Sequence, residues 1–197
     1  YGIYGTPTHH ALYDALTALE GGHASWAAPS GLAAITTAIL AFVRQGDHVL
    51  VPDSVYWPTR RFCLEVLPRF GVTASFYDPR IGEAVERLFA PATRVLFLES
   101  PGSLTVEMQD VPLLAEVARA RGAVSLIDNT WATPLFFRPL EHGVDVSIHA
   151  ATKYIGGHSD LVMGTLTANE RAWPALREAI HQYGVTTSPD DCWLALR

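Results

Sequence analysis

The sequence predicts an α/β fold built around a mainly parallel β-sheet. Short apolar runs that suit buried strands alternate along the chain with segments of helical periodicity, and turn residues separate the two. The apolar runs are nearly continuous, as in strands that helices cover on both faces of a sheet. No internal repeat or linker-like stretch interrupts this pattern over 197 residues, so we expect a single domain.

The first elements are predicted from their periodicity and their boundary residues. Residues 8–20 place apolar side chains on one face and predict a helix that Thr8 can cap. Small residues at 29–35 open a second helix that ends near Arg44. The apolar residues 48–52, which follow a turn, predict the first strand.

The remaining elements continue the same alternation. Predicted helices carry apolar residues three or four positions apart, over residues 56–67, 83–89, 111–121, 170–183 and 190–197. Predicted strands are rich in Val, Leu, Ile and Phe, over residues 72–77, 93–98, 123–127, 144–149 and 161–167. The chain opens on Tyr and its last predicted helix has no stop signal, so we expect an internal piece of a longer protein.

Composition restricts the class of function. The net charge is −6 and no basic run is present, which argues against a nucleic-acid or anionic-membrane partner. No apolar run reaches the roughly 18 residues of a membrane span. Cys63 and Cys192 lie far apart, and the eight histidines form no metal-type pair, so we expect neither disulfides nor a metal site. These features are typical of a soluble protein of the cytoplasm.

Lys153 is the first candidate for chemistry. It follows the predicted strand 144–149 and precedes the pair Gly156-Gly157. An amine at the end of a strand is well placed to hold an aldehyde cofactor as a Schiff base. Lysines beside turns are common, however, and Lys153 alone could be an ordinary surface residue.

Three further features fall where an open α/β sheet binds its ligands, beyond the carboxyl ends of the strands. Asp128 follows the predicted strand 123–127, Gly31 begins a helix with free N–H groups that favour an anion, and Tyr56 could stack on a ring. Taken singly, they could be an Asx turn, a packing glycine and a core tyrosine. With Lys153, they are the groups that pyridoxal 5′-phosphate needs, since a carboxylate keeps its ring nitrogen protonated.

These residues lie in motifs that resemble one enzyme family over essentially the whole chain. The motifs are Tyr1-Gly2 with Gly5-Thr6-Pro7-Thr8, Leu19-Glu20-Gly21-Gly22, Ser30-Gly31-Leu32-Ala33-Ala34-Ile35, Gly46-Asp47-His48-Val49, Glu99-Ser100-Pro101, Asp128-Asn129-Thr130, Ala151-Thr152-Lys153-Tyr154 and Gly157-His158-Ser159-Asp160. The family is that of the pyridoxal-phosphate enzymes of cysteine and methionine metabolism, with cystathionine lyases, cystathionine γ-synthase and methionine γ-lyase. The resemblance implies a fold-type I, aminotransferase-like large domain with a mainly parallel seven-stranded sheet and helices on both faces. It also implies that residues 1–197 are a partial domain, without the family's N-terminal arm and C-terminal domain.

The resemblance also implies roles in catalysis. Lys153 corresponds to the lysine that forms the Schiff base with pyridoxal 5′-phosphate and moves the proton of the substrate α-carbon. Asp128 corresponds to the partner of the pyridine nitrogen. Tyr56 corresponds to the tyrosine that stacks on the ring and helps to deprotonate the incoming amine.

Other positions correspond to phosphate-binding groups of the family. The backbone of Gly31 and Leu32 and the hydroxyl of Thr152 match its phosphate donors. Tyr1 resembles a tyrosine that reaches the phosphate of a neighbouring subunit, which implies a homodimer or homotetramer with shared active sites. Where the family has an arginine two residues later, this chain has Ile3. The missing charge puts cofactor affinity and substrate range in question.

Two positions favour the β-lyase branch of the family. Gly102-Ser103 stands where γ-acting members carry Thr-Asn-Pro, and Ala150 replaces the serine that often precedes Ala-Thr-Lys. The predicted reaction is β-elimination of cystathionine, a small sulfur amino acid, to homocysteine, pyruvate and ammonia. The alternatives are a cystathionine γ-lyase or γ-synthase, a methionine γ-lyase, a broad cysteine-conjugate lyase, or a cofactor-binding homologue without turnover, which Ile3 leaves open.

Overall fold

A computed structural model describes residues 2–197, so the contact predicted for Tyr1 lies outside the described residues. Seven strands form one sheet. In chain order they are β1 (Ala24–Ala28), β2 (His48–Pro52), β3 (Thr73–Tyr77), β4 (Thr93–Glu99), β5 (Val124–Asp128), β6 (Val146–His149) and β7 (Gly164–Ala168). Their spatial order is β1-β7-β6-β5-β4-β2-β3.

The sheet is mainly parallel, as predicted. Strands β2 to β6 pair in parallel, and only β7 runs antiparallel to its neighbours β6 and β1. Because side chains alternate along each strand, the sheet has two buried apolar faces. Phe97 packs in one layer with Ile39 of the second helix, and Leu98 packs in the other with Leu114. Helices therefore cover both faces, as expected for this fold class.

Among the described residues, seven α-helices connect or flank the strands. They are α1 (Pro7–Glu20), α2 (Gly31–Phe42), α3 (Trp57–Arg61), α4 (Val111–Ala120), α5 (Thr133–Phe136), α6 (Trp173–Gln182) and α7 (Pro189–Leu196). Within residues 2–197, none of them has the length and apolar character needed to cross a membrane.

Three predicted boundaries were wrong for identifiable reasons. Helix α1 begins at Pro7 because proline suits a first helical position, so the preceding Thr6, and not Thr8, is the N-cap residue. The helix predicted over 56–67 ends as α3 at Arg61 and continues as a π-helical turn and a 3-10 turn. Pro68 in that stretch has no N–H for an α-helical hydrogen bond. Residues 161–163 are not part of β7, because Met163 pairs with Thr152 instead.

Strand β1 was missed in the sequence, and the segment 83–89 is a 3-10 helix over Gly82–Leu88. Strand β1 reads Ala-Ser-Trp-Ala-Ala, which contains no β-branched residue. It is held by antiparallel pairing with β7 and by Trp26, whose Nε1 donates to the Val185 carbonyl at 2.8 Å. Tertiary contacts, rather than intrinsic propensity, define this edge strand.

Candidate active site

A cavity of about 1100 Å³ lies at the carboxyl ends of β4, β5 and β6, beside the N-terminus of α2. It brings together the six predicted site residues that the structure describes: Gly31, Leu32, Tyr56, Asp128, Thr152 and Lys153. These residues come from four different segments of the chain, so the fold, and not sequence proximity, assembles the site. The position agrees with the rule that open α/β sheets bind ligands beyond their strand ends.

The N-terminus of α2 provides an anion site on the cavity wall. The Oγ of Ser30, the N-cap residue, accepts from the Ala33 N–H at 3.1 Å, and the Ser30 carbonyl accepts from Ala34 at 3.0 Å. The N–H groups of Gly31 and Leu32 precede these positions and have no acceptor within the helix. Two free donors and the positive end of the helix dipole suit a phosphate group.

Gly31 is required by space as well as by chemistry. A Cβ at this position would lie 2.7 Å from the Ala150 Cβ and 2.9 Å from the Ala150 Cα. Glycine therefore lets the start of α2 approach the segment that leads from β6 to Lys153. This contact sets the phosphate-binding end of the cavity next to the lysine.

Asp128 is the last residue of β5 and is 9 % exposed. Its Oδ1 accepts from the Thr130 N–H at 3.0 Å, while the Thr130 hydroxyl accepts from the Ala150 N–H at 2.8 Å. Burial raises the pKa of the Asp128 carboxyl, and the Thr130 hydrogen bonds and the charge of His149 lower it. A cationic partner inside the cavity would stabilise the ionised form of this carboxyl.

Tyr56 and Lys153 both line the cavity, and they come from the segments that follow β2 and β6. Tyr56 precedes α3, is 45 % exposed, and has its backbone N–H bonded to a carboxylate oxygen of Glu99 at 2.9 Å. Lys153 lies in the turn after β6, where its backbone N–H donates to the Ala150 carbonyl at 2.9 Å. The backbone of both residues is thus fixed, while both side chains line the cavity.

The Thr152 hydroxyl already has partners in the protein. It donates to the Met163 carbonyl and accepts from the Met163 N–H, both at 3.1 Å. Thr152 lines the cavity as predicted, but a phosphate would have to compete with Met163 for the hydroxyl proton. The role of Thr152 as a phosphate donor therefore stays a prediction.

Glu99 is a cavity residue that the sequence analysis did not single out for chemistry. It ends β4, is 5 % exposed and pairs in register with Asp128 on the adjacent strand. Burial, and then the negative charge of Asp128, raise the pKa of Glu99 to about 7, although bonds from Ser103 and Tyr56 oppose the change. The available signal was a carboxylate directly after an apolar strand, the same signal that identified Asp128.

The cavity residues fit pyridoxal 5′-phosphate. The cavity offers free N–H donors at Gly31 and Leu32, the buried acid Asp128 and the amine of Lys153. An anion site, an acid for a ring nitrogen and an amine for an aldehyde correspond to the three functional parts of this cofactor. Several other residues line the same cavity, among them Trp131, Tyr154, Ser159, Asp160 and Val162.

Comparison with known proteins gives consistent results. The sequence pattern of the family described as Cys/Met metabolism PLP-dependent enzyme matches residues 1–197. The chain is 44 % identical over 199 aligned positions to the cystathionine beta-lyase MetC of Escherichia coli, covering all of this chain and 50 % of that protein. It is also 44 % identical over 197 positions to an L-alanine/L-glutamate racemase of Wolbachia pipientis, covering all of this chain and 48 % of the relative.

A solved structure is similar over nearly the whole chain. The cystathionine gamma-lyase of Lactobacillus plantarum, crystallised with L-serine, superposes with a TM-score of 0.95 at 36 % sequence identity. The match covers 99 % of this chain and 51 % of that protein. The chain thus spans about half the length of the relatives that it matches.

Proposed function

Because the chain belongs to the Cys/Met-metabolism family of pyridoxal-phosphate-dependent enzymes, we propose that it provides the cofactor-binding part of a carbon–sulfur lyase. The proposed reaction is β-elimination of cystathionine to homocysteine, pyruvate and ammonia. The observation that carries the proposal is one cavity with Lys153, Asp128 and the free α2 N-terminus. The name of the Escherichia coli relative and the pair Gly102-Ser103 favour the β-lyase branch.

The cofactor would be held at three points. The N–H groups of Gly31 and Leu32 would bind its phosphate, with Thr152 as a further donor. Lys153 would attach to its aldehyde carbon, and Asp128 would pair with its ring nitrogen. When bound, the cofactor supplies an electron-accepting ring that stabilises negative charge on the substrate α-carbon.

The side chains would then handle protons. Lys153, in its neutral amine form, would take the proton from the substrate α-carbon, and Lys153 or Tyr56 would protonate the departing thiolate. Asp128, as a carboxylate, would hold the positive charge of the ring nitrogen throughout. Tyr56 would also cover one face of the ring, for which its exposed side chain at the cavity is available.

The same groups can serve a second reaction, amino-acid racemisation. A racemase also removes the α-proton, but it returns a proton to the opposite face in place of expelling a leaving group. The Wolbachia relative named as a racemase, at 44 % identity, is the specific observation that favours this alternative. The γ-lyase name of the structural neighbour keeps γ-elimination as a third possibility.

We also propose that the active site is shared between subunits and that the protein works in the cytoplasm. Large apolar side chains are exposed on the segment after β5, next to the cavity, where Trp131 is 58 %, Leu135 80 % and Phe136 82 % exposed. A subunit contact would bury them. Cys63 and Cys192 are free and buried, which suits a reducing compartment.

The decisive experiment labels the lysine in the purified full-length protein. We expect visible absorption from bound pyridoxal 5′-phosphate, and borohydride reduction followed by peptide mapping should place the label on Lys153. A label on any other residue, or no bound cofactor, would overturn the proposal. Lys153→Ala should carry no label. Arg177→Ala serves as the control, because it changes a basic residue that does not line the cavity, and it should be labelled like the wild type.

Product analysis then separates the three reactions. Cystathionine should give pyruvate and homocysteine for β-elimination, whereas γ-elimination gives 2-oxobutyrate and cysteine. Racemisation is tested with L-alanine in ²H₂O, in which D-alanine accumulates with deuterium at the α-carbon. Pyruvate formation far above both other activities would support the β-lyase assignment, and its absence would reject it.

A further inference from the structure

We propose that Glu99 is a positioning residue of the cofactor cavity, which fixes the backbone of Tyr56 and gives up a proton when a cationic ring binds beside Asp128. This inference rests on the proposed cofactor function and deepens it. It concerns a side chain for which the sequence predicted no role. It is carried by register, burial and hydrogen bonding at the ends of β4 and β5.

Two carboxylates, Glu99 and Asp128, lie next to each other in the cavity. Glu99 and Asp128 are register partners on adjacent parallel strands, so their side chains point to the same face of the sheet. Both are buried, at 5 % and 9 % exposed, and both line the cavity. Two carboxylates this close in a buried setting resist carrying two negative charges, so one proton is retained between them.

The backbone contacts decide which carboxyl holds that proton. Asp128 accepts from the Thr130 N–H and lies in the field of His149, and both favour its ionised form. Glu99 accepts from the Tyr56 N–H, but the charge of Asp128 opposes its ionisation. The proton therefore resides mainly on Glu99, and the pair titrates as a unit with Glu99 as its weaker acid.

Glu99 also occupies a rigid position. Its own N–H donates to the Gln109 Oε1 at 2.8 Å, and the Gln109 Nε2 donates to the Tyr77 hydroxyl at 3.0 Å. The Tyr77 hydroxyl in turn donates to the Phe97 carbonyl at 2.8 Å. This buried network fixes the end of β4, so Glu99 holds Tyr56 at a defined place over the cavity.

Cofactor binding changes the charge balance. When the ring nitrogen is protonated next to Asp128, a cation faces both carboxylates and favours the ionised form of Glu99. In the net balance, the O–H bond of Glu99 would break, and its proton would pass to the ring nitrogen when the ring arrives neutral or to the solvent when the ring arrives as the cation. In both cases the wild type takes up one proton fewer than a variant that has no such proton to release. Other charged or titratable groups of the cavity are Lys153, Tyr56, Tyr154 and Asp160, of which Asp160 is paired with Arg197.

The test counts protons during binding of pyridoxal 5′-phosphate to the full-length apoprotein. Calorimetry in buffers of different ionisation enthalpy gives the number of protons exchanged with solvent, for the wild type and for Glu99→Gln. Glutamine keeps the acceptor for the Tyr56 N–H but cannot lose a proton, so it isolates the role of charge. At pH 6 we expect Glu99→Gln to take up about one proton more than the wild type, and about half a proton more at pH 7, given the pKa of about 7.

Two controls make the result specific. A cofactor analogue with carbon in place of the ring nitrogen should abolish the difference between wild type and Glu99→Gln, because it brings no ring cation next to the two carboxylates. Glu86→Gln removes a carboxylate that is paired with Arg121 on the surface, and it should exchange protons as the wild type does. If Glu99→Gln does not fold, the wild type measured with the cofactor and with the carbon analogue decides the question, since only the cofactor should show the added change in proton uptake near pH 7.

The outcomes separate this inference from the proposed function. Failure of the wild type to bind the cofactor, or to be labelled at Lys153, rejects the proposed function. Binding and labelling with equal proton counts for the wild type and Glu99→Gln reject only the role of Glu99. At pH 8, where Glu99 is ionised before binding, we also expect Glu99→Gln to bind about tenfold more weakly.

Discussion

Glu99→Gln should change how the stability of the apoprotein depends on pH. The pKa of Glu99 is about 7 in the folded chain against 4.5 for the unperturbed side chain. Between these values the folded protein holds a proton that the unfolded chain has lost, so the unfolding free energy falls as pH rises. One pKa unit corresponds to about 1.4 kcal/mol, which makes the full loss about 3 kcal/mol. It is complete above pH 7 and absent below pH 4.5.

Glutamine at position 99 removes this loss, because its amide does not ionise. We expect Glu99→Gln to be more stable than the wild type by only about 1 kcal/mol at pH 5, where the unfolded carboxyl has begun to ionise, and by about 3 kcal/mol at pH 8. Urea unfolding of the full-length apoproteins, followed by circular dichroism at equal protein concentration, measures both values. The wild-type curve should decline between pH 5 and 7 relative to the variant.

The reasoning would be refuted by a difference in unfolding free energy that is the same at pH 5 and pH 8. Such a result would mean that the Glu99 carboxyl titrates alike in the folded and unfolded chain. Glu86→Gln serves as the matched control, since Glu86 is paired with Arg121 at the surface. Its pH dependence should follow that of the wild type.

Three further substitutions test the candidate active site and a buried ion pair of the fold. Gly31→Ala should weaken cofactor binding at least tenfold in a fluorescence titration, and adding Ala150→Gly should restore only part, because the Ala150 Cα still lies 2.9 Å from the new Cβ. Unchanged affinity in Gly31→Ala would contradict the close approach. Asp128→Asn should keep the borohydride label on the lysine yet lower kcat by 10² or more in a steady-state assay, because the ring nitrogen loses its counter-charge. Asp145→Asn should lower the unfolding free energy by about 2 kcal/mol in urea, since the buried Asp145 carboxylate accepts from Arg171 at 2.5 Å; a loss near zero would show that solvent replaces this pair.

The sequence predicted the centre of the fold better than its edges. Strands β2, β4, β5 and β6 are apolar runs buried on both faces, and such runs have a strong sequence signal. Strand β1 lacks that signal because its pairing with β7 supplies the stability that its Ala-rich sequence does not. The antiparallel direction of β7 depends on the path of the connection between β6 and β7. The periodicity of the local sequence does not encode that path.

The candidate site shows the same division. Lys153, Asp128 and Gly31 were predicted because each stands at a strand end or helix start, where local sequence reveals the position. The pairing of Glu99 with Asp128 depends on the register of two strands and became visible only in the folded chain. The bonds between Thr152 and Met163 were likewise invisible, because they join residues across the turn that follows Lys153.

The contact between Ser30 and β7 determines at which stage of translation the cofactor site can form. A Cβ on Gly164 would lie 2.3 Å from the Ser30 carbonyl oxygen, so the start of α2 rests directly on this strand. The phosphate-binding donors come early in the chain, yet the strand that supports them is the last of the seven to leave the ribosome. A nascent chain that ends before Gly164 would therefore lack a formed cofactor site. We expect cofactor capture to follow, and not to guide, completion of the sheet.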